Sequence, residues 1–487
     1  MKAVNFLIII TDTQRKDMVG AYGNPWMDTP HLDKLAAQGV RFTRAYTAAP
    51  VCTPARSAIF SGMYPQVNGA WANTIAPSAS VPLMGTIFAH YGYRVGYTGK
   101  WHLDGSNYFG DGEPGGGFEP DWWYDGKRYA QHIGPQLFKA YRESNTPADL
   151  RCAGFTEDNI WAHGVADRAI DFLQRVGDEP FVLVASFDEP HEPYIAPPEY
   201  WEHVNPDNIP HYPNYGASVD DKPLLQRVQR EQNGELEWAD YAPTLTRFYG
   251  CNRHIDREIG RVLAALDERP ADDTVVIYTS DHGDMLRSHG LVSKGPMMYE
   301  EIASVPFIVR VPGGARHAVS EALISQLDIL PTMLELASID VPGTMQGTSF
   351  APLLTDPSAA TRAALMVSFN RFAINHDRFG GFYPIRCVVD GRYKLAVNLL
   401  DTDELYDMQS DPYEMTNRIY DPALADVRAR LHDALLDEMD RIRDPFRTPL
   451  WGIRPWRKAR QVFYRGGENR PPSPGFPFEP DPLPGTF

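Results

Sequence analysis

Four short apolar runs, each closed by a polar or charged cluster, set narrow limits on how this chain can fold. They are NFLIIITD (5–12), YRVGYTGKWH (93–102), FVLVASFDEPH (181–191) and VVIYTSDHGD (275–284). Continuous apolar runs without alternation are strands buried on both faces, the mark of a parallel sheet covered by helices. One covering helix is readable before the last run, where Ile255, Ile259, Val262, Leu263 and Leu266 recur at helical spacing. The expected class is therefore α/β, with a large, mostly parallel sheet flanked by helices. In such open sheets the ligand crevice lies beyond the carboxyl ends of the strands. Asp12, Lys100 with His102, His191, and Asp281 with His282 all fall there.

A chain of 487 residues, 43% hydrophobic, is too long for one small domain. The pattern predicts a larger unit over 1–355, and a smaller α+β unit over 356–445. The smaller unit contains GFYPIRCVVDGRYKLAVNLL, whose DGR reads as a hairpin turn between antiparallel strands, and a helix around 423–442. The remaining 446–487 ends in NRPPSPGFPFEPDPLPGTF, too Pro-rich for a regular helix and so either an extended arm or disordered.

The net charge of −17 disfavours nucleic acid and acidic membrane surfaces as partners. An anionic substrate needs a local cluster of positive groups instead. Lys2 precedes an apolar run, but no A-x-A-like site follows, so the start reads as a first strand. No stretch reaches the roughly 18 uninterrupted apolar residues of a membrane helix. Cys52, Cys152, Cys251 and Cys387 lie far apart without a CxxC pair, which argues against a disulfide framework or a zinc ribbon. A cytoplasmic location is the expectation.

The segment PVCTPARSAIFSG (50–62) poses a separate question. With Thr53 as cap and Pro54 at the first helical position, residue 52 would stand at a helix N-terminus, where free N–H groups favour an anion. The thiol there is either a small buried hydrophobe or an activated nucleophile.

Cys52-Thr53-Pro54-Ala55-Arg56, followed by Gly62, resembles the maturation signature of type I sulfatases, in which the cysteine is oxidised to Cα-formylglycine. GYRVGYTGKWHL, DEPHEPY, YTSDHGDMLRSHGLVSKG, DILPTMLELASI and DELYDMQSDPYEMTN resemble further family elements, in the family's order, over about residues 4–417. The resemblance is to the alkaline phosphatase superfamily, on the branch shared by bacterial sulfatases and phosphonate monoester hydrolases. It implies hydrolysis of an organic sulfate monoester, small-molecule or saccharide, by an aldehyde hydrate. One hydroxyl of that hydrate attacks sulfur, and the second expels sulfate. A formylglycine-generating maturation enzyme is then a transient partner, and a homo-oligomer is compatible.

Carried over residue by residue, the resemblance makes Asp12, Asp281, His282 and modified Cys52 the ligands of one divalent cation. Ca²⁺ suits the hard oxygens best, with Mn²⁺ or Mg²⁺ open. Many sulfatases have a second aspartate after the first; here Thr13 and Gln14 follow Asp12, and either could complete the shell. Lys100 and Lys294 correspond to sulfate-binding lysines, His102 to the histidine that deprotonates the hemiacetal, and His191 to the one that protonates the leaving oxygen. Arg56 orients residue 52. Asn73 is either a substrate contact or a turn residue. Trp122, Trp123 and Tyr124 are either a sugar platform or rim packing, and Arg371, His376, Asp377 and Arg378 are within reach of the pocket from the smaller unit. Two rival readings are a phosphonate monoester hydrolase or phosphodiesterase on the same scaffold and a non-catalytic sulfated-glycan binding protein.

Overall fold

The computed structural model describes residues 4–106, 108–143, 154–269, 273–377 and 380–457, and the backbone of 463–465 and 468–470. Eight strands form the main sheet: β1 (Asn5–Thr11), β2 (Val40–Tyr46), β3 (Arg94–Gly99), β4 (Trp123–Tyr124), β5 (Phe181–Ser186), β6 (Thr274–Ser280), β7 (Phe307–Arg310) and β8 (Ala318–Ser325). Their order is β4-β3-β5-β1-β6-β7-β2-β8. All pairings are parallel except those of β7, which runs antiparallel to both β6 and β2.

The central strands show why the runs read as continuous. On β1, Phe6, Ile8 and Ile10 enter one apolar core while Leu7 and Ile9 enter the opposite one. Residues Val182 and Val184 of β5 and Val275 and Ile277 of β6 join the first core, and their neighbours Leu183 and Val276 join the second. A strand between two cores has no water-facing side and hence no polar alternation. The second core is covered by helices Trp161–Arg175 and Trp238–Asp267. The latter buries Ile255, Ile259, Val262, Leu263 and Leu266 as the spacing predicts.

A second sheet, β12-β11-β10-β9, is antiparallel throughout and comprises β9 (Leu365–Phe369), β10 (Ile385–Val389), β11 (Tyr393–Asn398) and β12 (Glu404–Asp407). Asp390, Gly391 and Arg392 make the β10–β11 turn, where Gly391 takes φ +91° and Asp390 accepts the Tyr393 N–H. Helix Ala425–Arg441 packs on this sheet through Leu431, Leu435 and Met439, and Ala58 and Tyr64 join the same core. The Pro-rich stretch from 471 onward lies outside the described residues. Among the described residues no helix is long and apolar enough to cross a membrane.

Candidate active site

β1 and β6 are neighbours in register, Thr11 opposite Ser280, so the next residues, Asp12 and Asp281, leave the sheet side by side. Their separation in sequence is erased by one strand pairing. Helix Cys52–Ser61 then delivers Cys52 between them. Ligand atoms of Asp12, Cys52, Asp281 and His282 all lie within 4.8 Å of one another, and all four residues are buried. Cys52 Sγ is 3.2 Å from His282 Nε2 and 4.0 Å from Asp12 Oδ1.

The helix begins two residues earlier than the sequence suggests: Cys52 is its first residue and Val51 its N-cap. Thr53 is not the cap because its hydroxyl donates to His102 O, 2.9 Å away. The orphan Thr53 N–H is instead accepted by Asn73 Oδ1 at 3.0 Å. Asn73 thus supplies the cap from another loop, which the Phe372 carbonyl ties down through the Asn73 N–H. Asn73→Ala should cost about 1 kcal/mol of stability, the usual size of a lost cap. Thermal unfolding checks it, and an unchanged melting temperature would remove the capping role.

Arg56, fully buried, ties the two aspartates together. Its Nε lies 3.0 Å from Asp281 Oδ2 and its Nη2 3.1 Å from Asp12 Oδ2, while Nη1 donates to Lys100 O and Ser186 Oγ. Lys100 Nζ lies 2.7 Å from Asp12 Oδ2 and 3.1 Å from Asp188 Oδ1, under the face of Tyr108 at 3.7 Å. Lys294 Nζ donates to His191 Nε2 at 2.8 Å, and His191 Nδ1 in turn faces Glu192 O at 2.9 Å. His102 takes a positive φ of 57° and leaves its buried Nδ1 without a hydrogen-bond partner among the described residues.

The electrostatics follow from this crowding. Burial pushes the Asp12 carboxyl up, but Lys100, His191, Arg56 and Lys294 together hold it well below the usual range. Burial and the adjacent Asp12 push Asp281 up to about 7. Burial and Asp12 also oppose ionisation of Cys52, yet Lys294, Lys100 and His282 bring its thiol down to about 7. Burial drives His102 to about 3 with help from Lys100 and Arg56, and drives His191 down with help from Lys294 and Lys100. Both imidazoles are therefore neutral near pH 7. Two carboxylates, an imidazole and residue 52 crowded this closely form a donor set that fits one divalent cation.

Thr13 and Gln14 divide their duties. Thr13, at φ 67°, donates its hydroxyl to Asp12 Oδ1 and its N–H to Asp281 Oδ1, so it braces both carboxylates. The Gln14 amide is taken up by Thr11, Tyr278 and Asn252.

A cleft of about 940 Å³ opens over Cys52, and Asn73, His102, His191 and Lys294 line it. His376, from the segment between β9 and β10, also lines the cleft. Arg371 and Asp377 do not line it, because they pair with each other; Arg378 lies outside the described residues. Trp122, Trp123 and Tyr124 also do not. Trp123 stacks on Tyr97 at 5.1 Å and Trp122 meets Phe172 edge-on at 5.0 Å, so both rings are used in packing. The sequence reading missed Tyr108 and Asp188. Asp188 was findable, being the first polar residue after β5, but nothing in the pattern around Tyr108 distinguishes it.

Acidic ligands and lysines gathered at the carboxyl ends of a parallel sheet define a hydrolase for esters of a tetrahedral oxyanion. Comparison with known proteins narrows the class. The sulfatase family model matches residues 4–339, and the model for the C-terminal part of N-sulphoglucosamine sulphohydrolase matches 288–441. YidJ, an uncharacterized sulfatase of Escherichia coli K12, is 41% identical across 98% of this chain and 95% of its own. A Δ4,5-hexuronate-2-O-sulfatase of Bacteroides thetaiotaomicron is 29% identical across 91% of this chain and 90% of its own. The phosphonate monoester hydrolase of Agrobacterium radiobacter shares the fold, with TM-score 0.75 and 23% identity over 90% of this chain and 96% of its own. The chain belongs to the sulfatase family and is a sulfuric ester hydrolase.

Proposed function

We propose that the protein hydrolyses an organic sulfate monoester, small-molecule or saccharide, to an alcohol and inorganic sulfate, using a Cα-formylglycine formed from Cys52 by a maturation enzyme. One divalent cation, Ca²⁺ before Mn²⁺ or Mg²⁺, is held by Asp12, Asp281, His282 and residue 52. The observation that carries this reading is the convergence of those four buried residues within 4.8 Å beneath the cleft, which Cys52 lines. Bound there, the cation would supply Lewis acidity beside residue 52, and a hydrated aldehyde at that residue would supply the second hydroxyl that a serine lacks. The saccharide half of the reading is supported by the hexuronate-sulfatase relative. We further propose that 1–355 forms the catalytic unit and 356–445 the smaller one, that 446–487 is an extension, and that the protein acts in the cytoplasm.

The residues act as follows. Lys100 and Lys294 place positive charge against the sulfate oxygens, where charge stabilisation in a dry site is worth most. Asp12 and Asp188 hold Lys100 in position. Neutral His102, whose buried Nδ1 has no hydrogen-bond partner among the described residues, would take the proton from the second hydroxyl at residue 52 as sulfate departs. His191 is kept neutral by burial and the adjacent Lys294 in the free enzyme. A sulfate ester beside it adds negative charge, which raises the imidazole pKa and readies Nε2 to protonate the leaving oxygen.

A poor leaving group needs that proton and a nitrophenolate hardly does. His191→Ala should therefore lower kcat/KM for an alkyl or sugar sulfate about 10²-fold or more, and for 4-nitrophenyl sulfate far less. Lys100→Ala and Lys294→Ala should damage both substrates alike. Equal losses on the two substrates for His191→Ala would make it another sulfate ligand only. Rates of the wild type on aryl sulfate and aryl phosphonate esters decide between sulfatase and phosphonate hydrolase.

A further inference from the structure

A second cavity, of about 460 Å³, lies beside the first and shares Tyr108, His191, Glu192 and Tyr194 with it. The wall that carries His191 therefore has binding space on both sides. Phe109, Tyr141, Arg142 and Arg247 build the far side, where exposed Arg142 leans over the Phe109 ring at 5.9 Å. Tyr108 and Phe109 meet edge-on at 5.2 Å, and Phe109 and Tyr141 edge-on at 6.3 Å. Ring surface of this kind suits the apolar C–H faces of a sugar. Arg247 projects from helix Trp238–Asp267, is half-buried, and among the described residues has no hydrogen-bond or ion-pair partner. Its neighbours Arg253, Arg257 and Arg261 on the same helix are all hydrogen-bonded. In a chain of net charge −17, a half-buried arginine with no ion-pair partner on the wall of a cavity is an open place for an anion.

Two carboxylates also line this cavity, and their positions steer a ligand. Asp188 is occupied by Lys100 and by the Tyr108 hydroxyl. Glu192 stands exposed on the shared wall. There it accepts from sugar hydroxyls and repels an oxyanion, which leaves the Arg247 end as the place for negative charge.

We propose that this cavity is a second subsite that takes a carboxylate or sulfate carried on the leaving-group side of the ester, with Arg247 as its bidentate reader. The inference rests on the sulfate-ester reading of the cleft, since the alcohol portion must pass His191 to enter the second cavity. The substrate is then an acidic or multiply sulfated saccharide of at least two sugar units.

The test uses three inhibitors of 4-nitrophenyl sulfate hydrolysis: neutral lactose, an unsulfated unsaturated chondroitin disaccharide with its uronate carboxylate, and the same disaccharide carrying a sulfate. Thermal shift is read in parallel, so binding is visible even in enzyme that turns over no aryl sulfate. In the wild type at least one charged disaccharide should bind 10-fold or more tighter than lactose, and which one does so tells carboxylate from sulfate. Arg247→Met should weaken the preferred disaccharide about 10-fold while leaving inhibition by inorganic sulfate, held at Lys100 and Lys294, unchanged; Arg247→Lys should lose less, and KM for 4-nitrophenyl sulfate should stay within about 2-fold in both. Charged disaccharides that bind Arg247→Met as tightly as the wild type, or a wild type that binds lactose as well as the charged disaccharides, would overturn the subsite. A wild type that shows the preference by thermal shift yet hydrolyses no sulfate would fault the cleft reading and leave the subsite standing.

Discussion

Cys52→Ser is expected to stop catalysis after at most one turnover per chain, lowering steady-state kcat on 4-nitrophenyl sulfate by on the order of 10⁴-fold. The reason is in the number of hydroxyls. A serine at residue 52 has one oxygen, and after attacking sulfur it is left as a sulfate ester with no second hydroxyl to expel sulfate. The surrounding site should survive, because the side chain is nearly isosteric and Asp12, Asp281 and His282 keep their own supports in Arg56, Thr13 and Gly283. The variant should therefore retain wild-type stability and accumulate one sulfate per chain, visible by mass. Multiple turnover at the wild-type rate would exclude the aldehyde mechanism.

Neutralising a ligand should have an effect of similar size for a different reason. Asp12 Oδ2 contacts both Arg56 and Lys100, two cations that are themselves fully buried. Asp12→Asn removes the charge that both of them face and leaves an amide against two cations. Losing one member of a buried charge network costs about 3–5 kcal/mol, and activity should fall at least about 10³-fold. Asp281→Asn should be milder in stability, because burial and Asp12 already push that carboxyl towards its neutral form, yet equally damaging to metal binding. Metal content separates the two effects. Wild-type protein should hold one divalent ion per chain and lose both the ion and its activity on chelation. Added Ca²⁺ should raise the melting temperature of the wild type and not that of Asp281→Asn, since a ligand stabilises only a fold that binds it. A variant that keeps a full equivalent of metal would remove Asp281 from the ligand set.

Much of this arrangement was legible before any coordinates because it depends on strand ends. A buried parallel strand must read as an apolar run, and the first polar residue after it marks where the chain leaves the sheet. Asp12, Lys100, Asp188 and Asp281 are all placed by that rule, and the β1–β6 pairing does the rest. The helix start was misplaced by two residues because local cap preferences gave Thr53 a role that a distant loop supplies through Asn73. Trp122 to Tyr124 illustrate the opposite limit. Their rings could serve a sugar or a core, and only tertiary packing against Tyr97 and Phe172 decides it. Tyr108 and Arg247 come from segments without periodicity or motif relevant to the site, so their meeting at His191 is visible only once the fold brings them together.

The most direct test of the formylglycine reading is the mass of the tryptic peptide spanning residues 45–56, taken from a preparation that turns over 4-nitrophenyl sulfate. The account predicts a peptide in which the Cys52 side chain has become an aldehyde, reactive towards hydrazine reagents and inert to thiol alkylation, in a fraction that scales with specific activity across preparations. Full activity in protein whose residue 52 is entirely an alkylatable cysteine would contradict it.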